Sequence, residues 1–216
     1  MTTELEVLGL VSDRLSAHGL PFMLTGSFAL AYYATPRMTR DLDIVVALQE
    51  SDVDSLVAAF ESDFYVDADA ARTAILSERM FNLMHLESGV KVDLIVRKSS
   101  EFRQVEFARR KPVAIAGIQS WIVSCEDLIL SKLDAMSDTS DAISKLVSER
   151  YRAMTPAERL FAASSLFETA RAIIQSSLPS DLTTEEQRLA VARRLYNNEL
   201  PEVALIAHAR HVSAST

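Results

Sequence analysis

The order of apolar and polar residues predicts alternating helices and strands over residues 4–136. A first helix over 4–17 follows from apolar side chains at helical spacing and from a capping-box pair, Thr3 and Glu6. Short apolar runs between turn residues predict strands at 22–25, 42–48, 64–66, 81–86, 90–96, 113–115 and 121–123. Helical spacing predicts helices at 28–33, at 53–60 after a cap at Ser51, at 70–79, and at 126–136 after a cap at Ser124.

The remaining residues form a second kind of region. Residues 137–142, SDTSDA, are small and polar and predict a linker, and everything beyond them looks helical. Thr184 and Gln187 have the spacing of a cap for the last clear helix, and an apolar stripe consists of Leu160, Ala163, Phe167, Ala170 and Ile174. The sequence therefore predicts an α/β (α+β) domain at 1–136, a linker, and a helical C-terminal region at 143–216. An amphipathic helix pair of this kind is also a candidate docking surface for a protein partner.

Composition narrows the class of protein. Of the 216 residues 49% are hydrophobic and 24% charged, which is enough for a core that needs no disulfide or structural metal. The single cysteine, Cys125, excludes a disulfide framework and favours a reducing compartment, so we expect a cytoplasmic protein. No apolar run approaches the roughly 20 residues needed to span a bilayer, and no signal peptide is evident. We therefore expect no membrane partner.

Charge bears on possible nucleic-acid partners. The formal net charge is −8, which argues against a protein that coats nucleic acid, because phosphate backbones are repelled at long range. A local exception is the basic run formed by Arg97, Lys98, Arg103, Arg109, Arg110 and Lys111. The run is either a solvated charged surface or a patch that holds RNA.

Three aspartates carry the candidate chemistry. Side chains alternate along a strand, so Asp41 and Asp43 point the same way while Leu42 points into the core. Asp93 lies in the run KVDLIV on a separate predicted strand and would also point away from the core. If the two strands are neighbours, three carboxylates meet on one sheet face. Carboxylate oxygens together with substrate phosphates are the ligands that Mg²⁺ prefers.

A glycine turn precedes these aspartates. Gly26 and Ser27 join a predicted strand to a short helix, and glycine permits close approach of the backbone to a ligand. The free amides at the start of a helix attract phosphate, and the hydroxyl of Ser27 could bind the same group. The sequence thus places a phosphate site upstream of a metal-binding pair, which is the outline of a triphosphate site.

Together these motifs resemble the nucleotidyltransferase superfamily, the group with the DNA polymerase β-like fold. Its pattern is Gly-Ser, a short helix, Asp-x-Asp, and a third acidic residue on a later strand. The segments LTGSFALAYYATPRMTRDLDIVV and VKVDLIV follow this pattern, and EFARRKPVAIAGIQSWIVSCEDLILSKL extends the likeness to residue 133. This last run is similar to small bacterial nucleotidyltransferases, including toxin-like members of abortive-infection and toxin–antitoxin systems. The resemblance implies a mixed sheet flanked by helices.

The resemblance also implies roles for individual residues. Asp41 and Asp43 would hold Mg²⁺, with two ions expected and Mn²⁺ as an alternative, and Asp93 would be a third metal ligand or the base that deprotonates the acceptor. Gly26 and Ser27 would hold the triphosphate. Three basic residues would contact the nucleotide: Arg37, Arg40 and Lys132. The implied reaction is transfer of a nucleotidyl group from a nucleoside triphosphate to a hydroxyl.

Two questions stay open at this point. The acceptor is a tRNA or other RNA, a protein hydroxyl, or a small molecule. The resemblance thins beyond residue 133, so the tail gives no acceptor specificity. The alternative function is a catalytically silent nucleotidyltransferase-like module that binds or regulates a partner.

Overall fold

A computed structural model describes residues 3–34, 41–132, 154–196 and 199–211 of the protein. Its helices are α1 (Glu4–Ala17), α2 (Gly26–Tyr33), α3 (Val53–Phe60), α4 (Ala68–Leu76), α5 (Glu101–Ala108), α6 (Cys125–Lys132), α7 (Pro156–Ser176), α8 (Thr184–Tyr196) and α9 (Glu202–Arg210). Its strands are β1 (Phe22–Leu24), β2 (Asp41–Val46), β3 (Phe64–Val66), β4 (Met80–His85), β5 (Lys91–Val96), β6 (Lys111–Ile115) and β7 (Ile118–Ile122). A short 3₁₀ helix, Glu50–Asp52, precedes α3.

The strands form one mixed sheet in the order β3-β4-β5-β2-β1-β7-β6. Strand β2 runs parallel to β5 and β1 runs parallel to β7, while the other neighbours are antiparallel. The predicted fold class, a mixed sheet flanked by helices and followed by helices, is confirmed.

One face of the central strands forms the core. Leu42 and Ile44 on β2 and Val92 and Leu94 on β5 are fully buried. They belong to one apolar cluster with the buried side chains of α1, α2 and α3. The residues that alternate with these four along the strands therefore point to the opposite face of the sheet, as strand geometry requires.

Some predicted helix starts agree with the structure and others do not: α2 begins at Gly26 and not at residue 28, α4 begins at Ala68 and not at residue 70, and two predicted caps are misplaced. Thr3 and Glu6 form the predicted capping box of α1, and Ser124 Oγ accepts a hydrogen bond from the amide of Asp127. The predicted cap at Ser51 is wrong, because the 3₁₀ helix extends the element and its box is made by Gln49 and Asp52. The predicted cap at Thr184 is also wrong by one residue, since the box is formed by the residue pair 183 and 186.

The C-terminal helices pack onto the rest of the chain. Leu160 and Ala163 of α7 are buried in the main core. Phe167 of α7 joins a second cluster with residues of α8 and α9 and with Met84 of β4. The apolar stripe thus packs largely within the protein, as expected for core residues. A docking surface on the C-terminal helices stays a prediction. The predicted linker, 137–142, lies outside the described residues, so the domain boundary stays a prediction.

Polar contacts reinforce this packing. Arg159 of α7 donates to the carbonyl oxygens of Ala31 and Tyr32 at the end of α2. The hydroxyl of Tyr196 on α8 donates to the carbonyl oxygen of Gly89, between β4 and β5, at 2.6 Å. The tail therefore contacts both the helix and the hairpin that carry candidate site residues. Among the described helices, none has the length and apolar character needed to cross a membrane.

Candidate active site

The two aspartate-bearing strands are direct neighbours. Strands β2 and β5 pair in parallel with Asp43 opposite Asp93 and Asp41 opposite Lys91. Neighbouring strands lie about 4.8 Å apart, and residues in register point to the same face. The structure thus brings together the three aspartates that the alternation pattern selected.

The glycine turn contacts the second aspartate. Gly26 has a φ of +67°, and a Cβ at this position would overlap the carboxyl group of Asp43. The amide of Thr25 donates to the carbonyl oxygen of Asp43 at 2.8 Å, which ties the end of β1 to β2. Only glycine fits here, because both the backbone conformation and the close approach exclude a side chain.

The first turn of α2 begins at this contact. Thr25, the residue before the helix, makes no side-chain capping bond, and the first turn contains no acidic residue. Ser27 is buried at the same end of the helix. The carboxyl group of Asp43 lies against the first residue of this turn. Amides at a helix start attract phosphate, so a phosphate site here stays a prediction.

A lysine that was not predicted as a site residue lies among the carboxylates. The ammonium of Lys91 is 3.0 Å from Asp93, 3.3 Å from Asp41 and 3.3 Å from Glu199, and its side chain is only 4% exposed. Burial lowers the pKa of Lys91, but the three carboxylates outweigh this effect, so the pKa lies above its ordinary value. Lys91 is thus a charged, buried cation at the centre of the site.

Asp93 is held from two sides. The side-chain amide of Asn82 on β4 donates to one of its oxygens, and Lys91 contacts the other. Burial raises the pKa of Asp93, and the attraction to Lys91 opposes that rise. Asn82 fixes the carboxyl orientation, which is the usual task of a group next to a metal ligand.

The carboxylates suit a magnesium ion in type but do not form a ready cluster. Within residues 3–34, 41–132, 154–196 and 199–211 no group of three or more His, Cys, Asp or Glu side chains is arranged to hold a metal. Asp41 and Asp93 contact the ammonium of Lys91, and Asp43 packs against Gly26. A divalent ion bound between Asp41 and Asp93 would therefore compete with the ammonium of Lys91.

A cavity of about 310 Å³ opens beside Asp43 and Gly26. Its apolar lining includes Val45, Ile95 and Leu128, from β2, β5 and α6. Its cationic lining comes from Arg97, Lys98 and Arg103. This volume is at the lower end of the range for small-molecule sites. The cavity combines an apolar surface with positive charge and adjoins the carboxylates.

Arg97 is the most informative of these basic residues. Its Nε atom is buried and has no hydrogen-bond partner in the part of the chain that the structure describes. The guanidinium lies 5.4 Å from the ring centroid of Phe107. A buried donor without a partner costs free energy. Arg97 also lines the cavity, where its charge favours an anionic ligand.

The basic run is not one patch. Arg97, Lys98 and Arg103 line the cavity, where Arg103 pairs with the buried Glu106, and Arg109 pairs with the buried Asp127. Two further members complete the run: Arg110 lies over the rings of Phe107 and Trp121, and Lys111 is exposed on β6. The run is therefore divided between the cavity and other parts of the surface, and Lys98 is exposed. Its role as a patch that holds RNA stays a prediction.

Three predicted nucleotide contacts have no described side chain. Arg37 and Arg40 lie outside the described residues, and Lys132 is the last residue of α6, where only the backbone is described. Their assignments stay predictions. The alternation pattern had placed Lys91 on the face of Asp93, but no local signal could have identified Glu199, which lies 108 residues away.

Comparisons with known proteins complete the description. No protein-family model matches the chain, and no curated protein sequence matches it. Several solved structures do match. One is the lincosamide antibiotic adenylyltransferase LnuA in its lincomycin-bound form, at 13% identity and a TM-score of 0.43, covering 75% of this chain and 98% of LnuA.

Two further matches are of the same kind. An antigenic nucleotidyltransferase-like protein from Paracoccidioides brasiliensis has 16% identity and a TM-score of 0.43, covering 93% of this chain and 91% of that chain. The antibiotic-resistance factor ANT(2'')-Ia has 15% identity and a TM-score of 0.39, covering 79% and 93%. None of the three is described as a toxin. At these scores the likeness between this chain and the nucleotidyltransferases is one of partial backbone similarity.

Proposed function

We propose that the protein is a divalent-metal-dependent nucleotidyltransferase that moves a nucleotidyl group from a nucleoside triphosphate to a hydroxyl. The observation that carries the proposal is the register of Asp43 opposite Asp93 on adjacent parallel strands, with Gly26 packed against Asp43. This arrangement joins carboxylates to a helix start that accepts phosphate.

The residues that would hold the metal are Asp41, Asp43 and Asp93. Bound there, Mg²⁺ or Mn²⁺ would neutralise phosphate charge and lower the pKa of the acceptor hydroxyl, and two ions would serve both the attacking and the leaving oxygen. Asn82 would keep Asp93 oriented. Removal of one such carboxylate should lower the rate by orders of magnitude.

The nucleotide would occupy the cavity and the turn before α2. The amides of α2 and the hydroxyl of Ser27 would receive phosphate oxygens, and Arg97 and Lys98 would add positive charge. The apolar lining from Val45 and Ile95 suits the base and the sugar. The predicted contacts from Arg37, Arg40 and Lys132 would complete the binding of the triphosphate.

The acceptor is proposed only as a hydroxyl. Because half of the basic run lies in the cavity, Arg109 is paired with Asp127 and Arg110 lies against aromatic rings, the argument for an RNA acceptor is weaker than the sequence suggested. RNA, protein and small molecules are therefore separate arms of one experiment. A toxin-like role would be indicated if a cellular RNA became labelled.

The test is an incubation of the purified protein with each labelled nucleoside triphosphate and Mg²⁺. Parallel reactions contain total cellular RNA, a protein extract, a small-molecule extract, or the protein alone. We expect label in one class of acceptor and a loss of at least about a thousandfold for Asp43→Asn. Asp13→Asn, an exposed position on α1, is the matched control. Equal turnover by Asp43→Asn and the wild type would refute the proposal.

A second candidate function is a catalytically silent binding module. It is favoured by one observation, the ammonium of Lys91 between two of the proposed metal ligands. Calorimetric titration with ATP, GTP, CTP and UTP in the presence of Mg²⁺ separates the two functions. Heat of binding with any of them supports the enzyme, and no heat with all four supports the silent module.

A further inference from the structure

Lys91 is buried among carboxylates, unlike a surface lysine. It lies on β5 directly opposite Asp41, and its ammonium is within 3.3 Å of carboxylate oxygens on β2, β5 and the segment after α8. A lysine is rarely this deeply buried unless its charge is compensated. Here three carboxylates compensate one ammonium.

The ammonium of Lys91 offsets the repulsion between two aspartates. Asp41 and Asp93 lie on neighbouring strands and point to the same face, where two unscreened carboxylates repel each other strongly at low dielectric. Lys91 contacts both, so it offsets that repulsion without any bound ion. The same contacts occupy the oxygens that a metal would need.

Glu199 gives the ammonium an alternative partner. Its side chain is 39% exposed, whereas Asp93 is only 6% exposed, so Glu199 has more freedom to follow a moving lysine. Its backbone amide donates to the carbonyl oxygen of Tyr196, and Tyr196 is anchored on Gly89. The tail thus holds the carboxylate of Glu199 next to the site.

We propose that Lys91 is a tethered cation that a divalent metal displaces, and that Glu199 receives the ammonium when the metal takes Asp41 and Asp93. This inference rests on the proposed metal-dependent function. It gives Lys91 and Glu199 the role of positioning residues, and it links the docking of the C-terminal helices to metal loading.

The test is a titration with Mn²⁺ alone, followed by electron paramagnetic resonance of the free ion. Lys91→Met should bind Mn²⁺ about tenfold more tightly than the wild type, because the competing charge is removed. Glu199→Gln should bind it several-fold more weakly, because the displaced ammonium loses its partner. Lys111→Met and Glu101→Gln remove the same charges at exposed positions on β6 and α5 and should leave Mn²⁺ affinity unchanged.

Thermal unfolding supplies a second readout. Without metal, Lys91→Met should melt at a lower temperature than the wild type, and saturating Mn²⁺ should raise its melting temperature more than that of the wild type. A purely structural Lys91 would lower both the melting temperature and the Mn²⁺ affinity. That result would overturn the proposal.

The outcomes separate this inference from the proposed function. Mn²⁺ binding by the wild type with unchanged affinity in both variants would overturn the role of Lys91 and Glu199 alone. No binding by the wild type but binding by Lys91→Met would show that metal does not displace the ammonium, and would contradict both this inference and the metal-dependent enzyme. No binding by either would overturn both. If Lys91→Met does not fold, unchanged affinity in Glu199→Gln is by itself enough to reject the proposal.

Discussion

Gly26 and Asp43 lie in direct contact, so that the carboxyl group of residue 43 occupies the space that a side chain on residue 26 would need. The contact joins the start of α2, where phosphate would bind, to a carboxylate that would hold metal. It places the two halves of the proposed site next to each other. This proximity matters because a metal ion in such sites is shared between protein carboxylates and substrate phosphates.

Gly26→Ala should therefore damage the site more than the fold. The φ of +67° alone costs an L-residue about 1–2 kcal/mol, and the overlap with Asp43 must displace that carboxylate. We expect nucleotidyl transfer to fall at least a hundredfold. Gly19→Ala is the matched control, since residue 19 has a φ of +64° but no atom within 4 Å of an added Cβ. Equal activity losses in the two variants, measured beside their melting temperatures, would contradict the assignment of the contact to the site.

Arg97→Met should weaken nucleotide binding with little effect on stability. The guanidinium lines the cavity and has no ion pair among the described residues, so its removal breaks no structural pair there. We expect the Kd of the preferred triphosphate to rise about tenfold, which corresponds to roughly 1.4 kcal/mol. Isothermal titration calorimetry measures this directly. Arg72→Met, at an exposed pair with Asp54, should bind like the wild type. Unchanged affinity in Arg97→Met would remove the cavity from the nucleotide site.

The local part of the site could be predicted from the sequence, because side chains on a strand alternate with a period of two. That rule selected Asp41, Asp43 and Asp93 and gave them one facing direction. Gly26 followed from the need for a turn where the chain enters a helix. These predictions use only residues close together in the chain, where backbone geometry leaves few choices.

The rest of the site depends on contacts between distant parts of the chain. Alternation along β5 puts Lys91 on the same face as Asp93. Its burial, however, also depends on Glu199, which contacts it only when the C-terminal helices dock. Arg97 was assigned to a surface run because nothing local shows that α5 and α6 fold back to enclose it. Tertiary packing decides whether a charged residue is solvated or lies in a site. The periodicity of the sequence does not encode this packing.

Ser164→Ala should destabilise the protein in a way that depends on pH. Glu4 is fully buried, Ser164 donates to one of its oxygens, and burial raises the pKa of this carboxyl. A raised pKa means that ionisation of Glu4 opposes folding, so stability falls as the pH rises from near 4.5 through the folded value. Loss of the Ser164 hydroxyl should cost about 2 kcal/mol at pH 7 and less at pH 4, where the acid form prevails.

Urea unfolding at the two pH values measures this difference. Ser165→Ala changes the next, exposed residue of α7 and should have little effect at either pH. A cost for Ser164→Ala that is the same at pH 4 and pH 7 would show that the hydroxyl does not act on the charged form of Glu4.

His208 should make the docked tail sensitive to acid. The ring lies against Gly89, and its Nδ1–H donates to the carbonyl oxygen of Leu86 at 2.9 Å. Burial, together with the charges of Arg188, Arg171 and His211, lowers the pKa of His208 to about 4, against the opposing effect of the Leu86 hydrogen bond. The unfolded chain binds this proton near pH 6.5, so the contribution of His208 is complete above that value and is lost as the pH falls towards 4.

We expect the free energy of unfolding to fall by up to about 3 kcal/mol over this window on account of His208. His85, whose pKa burial also lowers, should add a loss of the same sign. His208→Gln should flatten the profile between pH 6.5 and 4, although it starts from a lower stability at pH 7. His18→Gln, at an exposed position after α1, should keep the wild-type slope. Unfolding in guanidinium across this pH range measures the slope of the unfolding free energy against pH. A wild-type slope in His208→Gln would show that acid destabilises the protein through other groups.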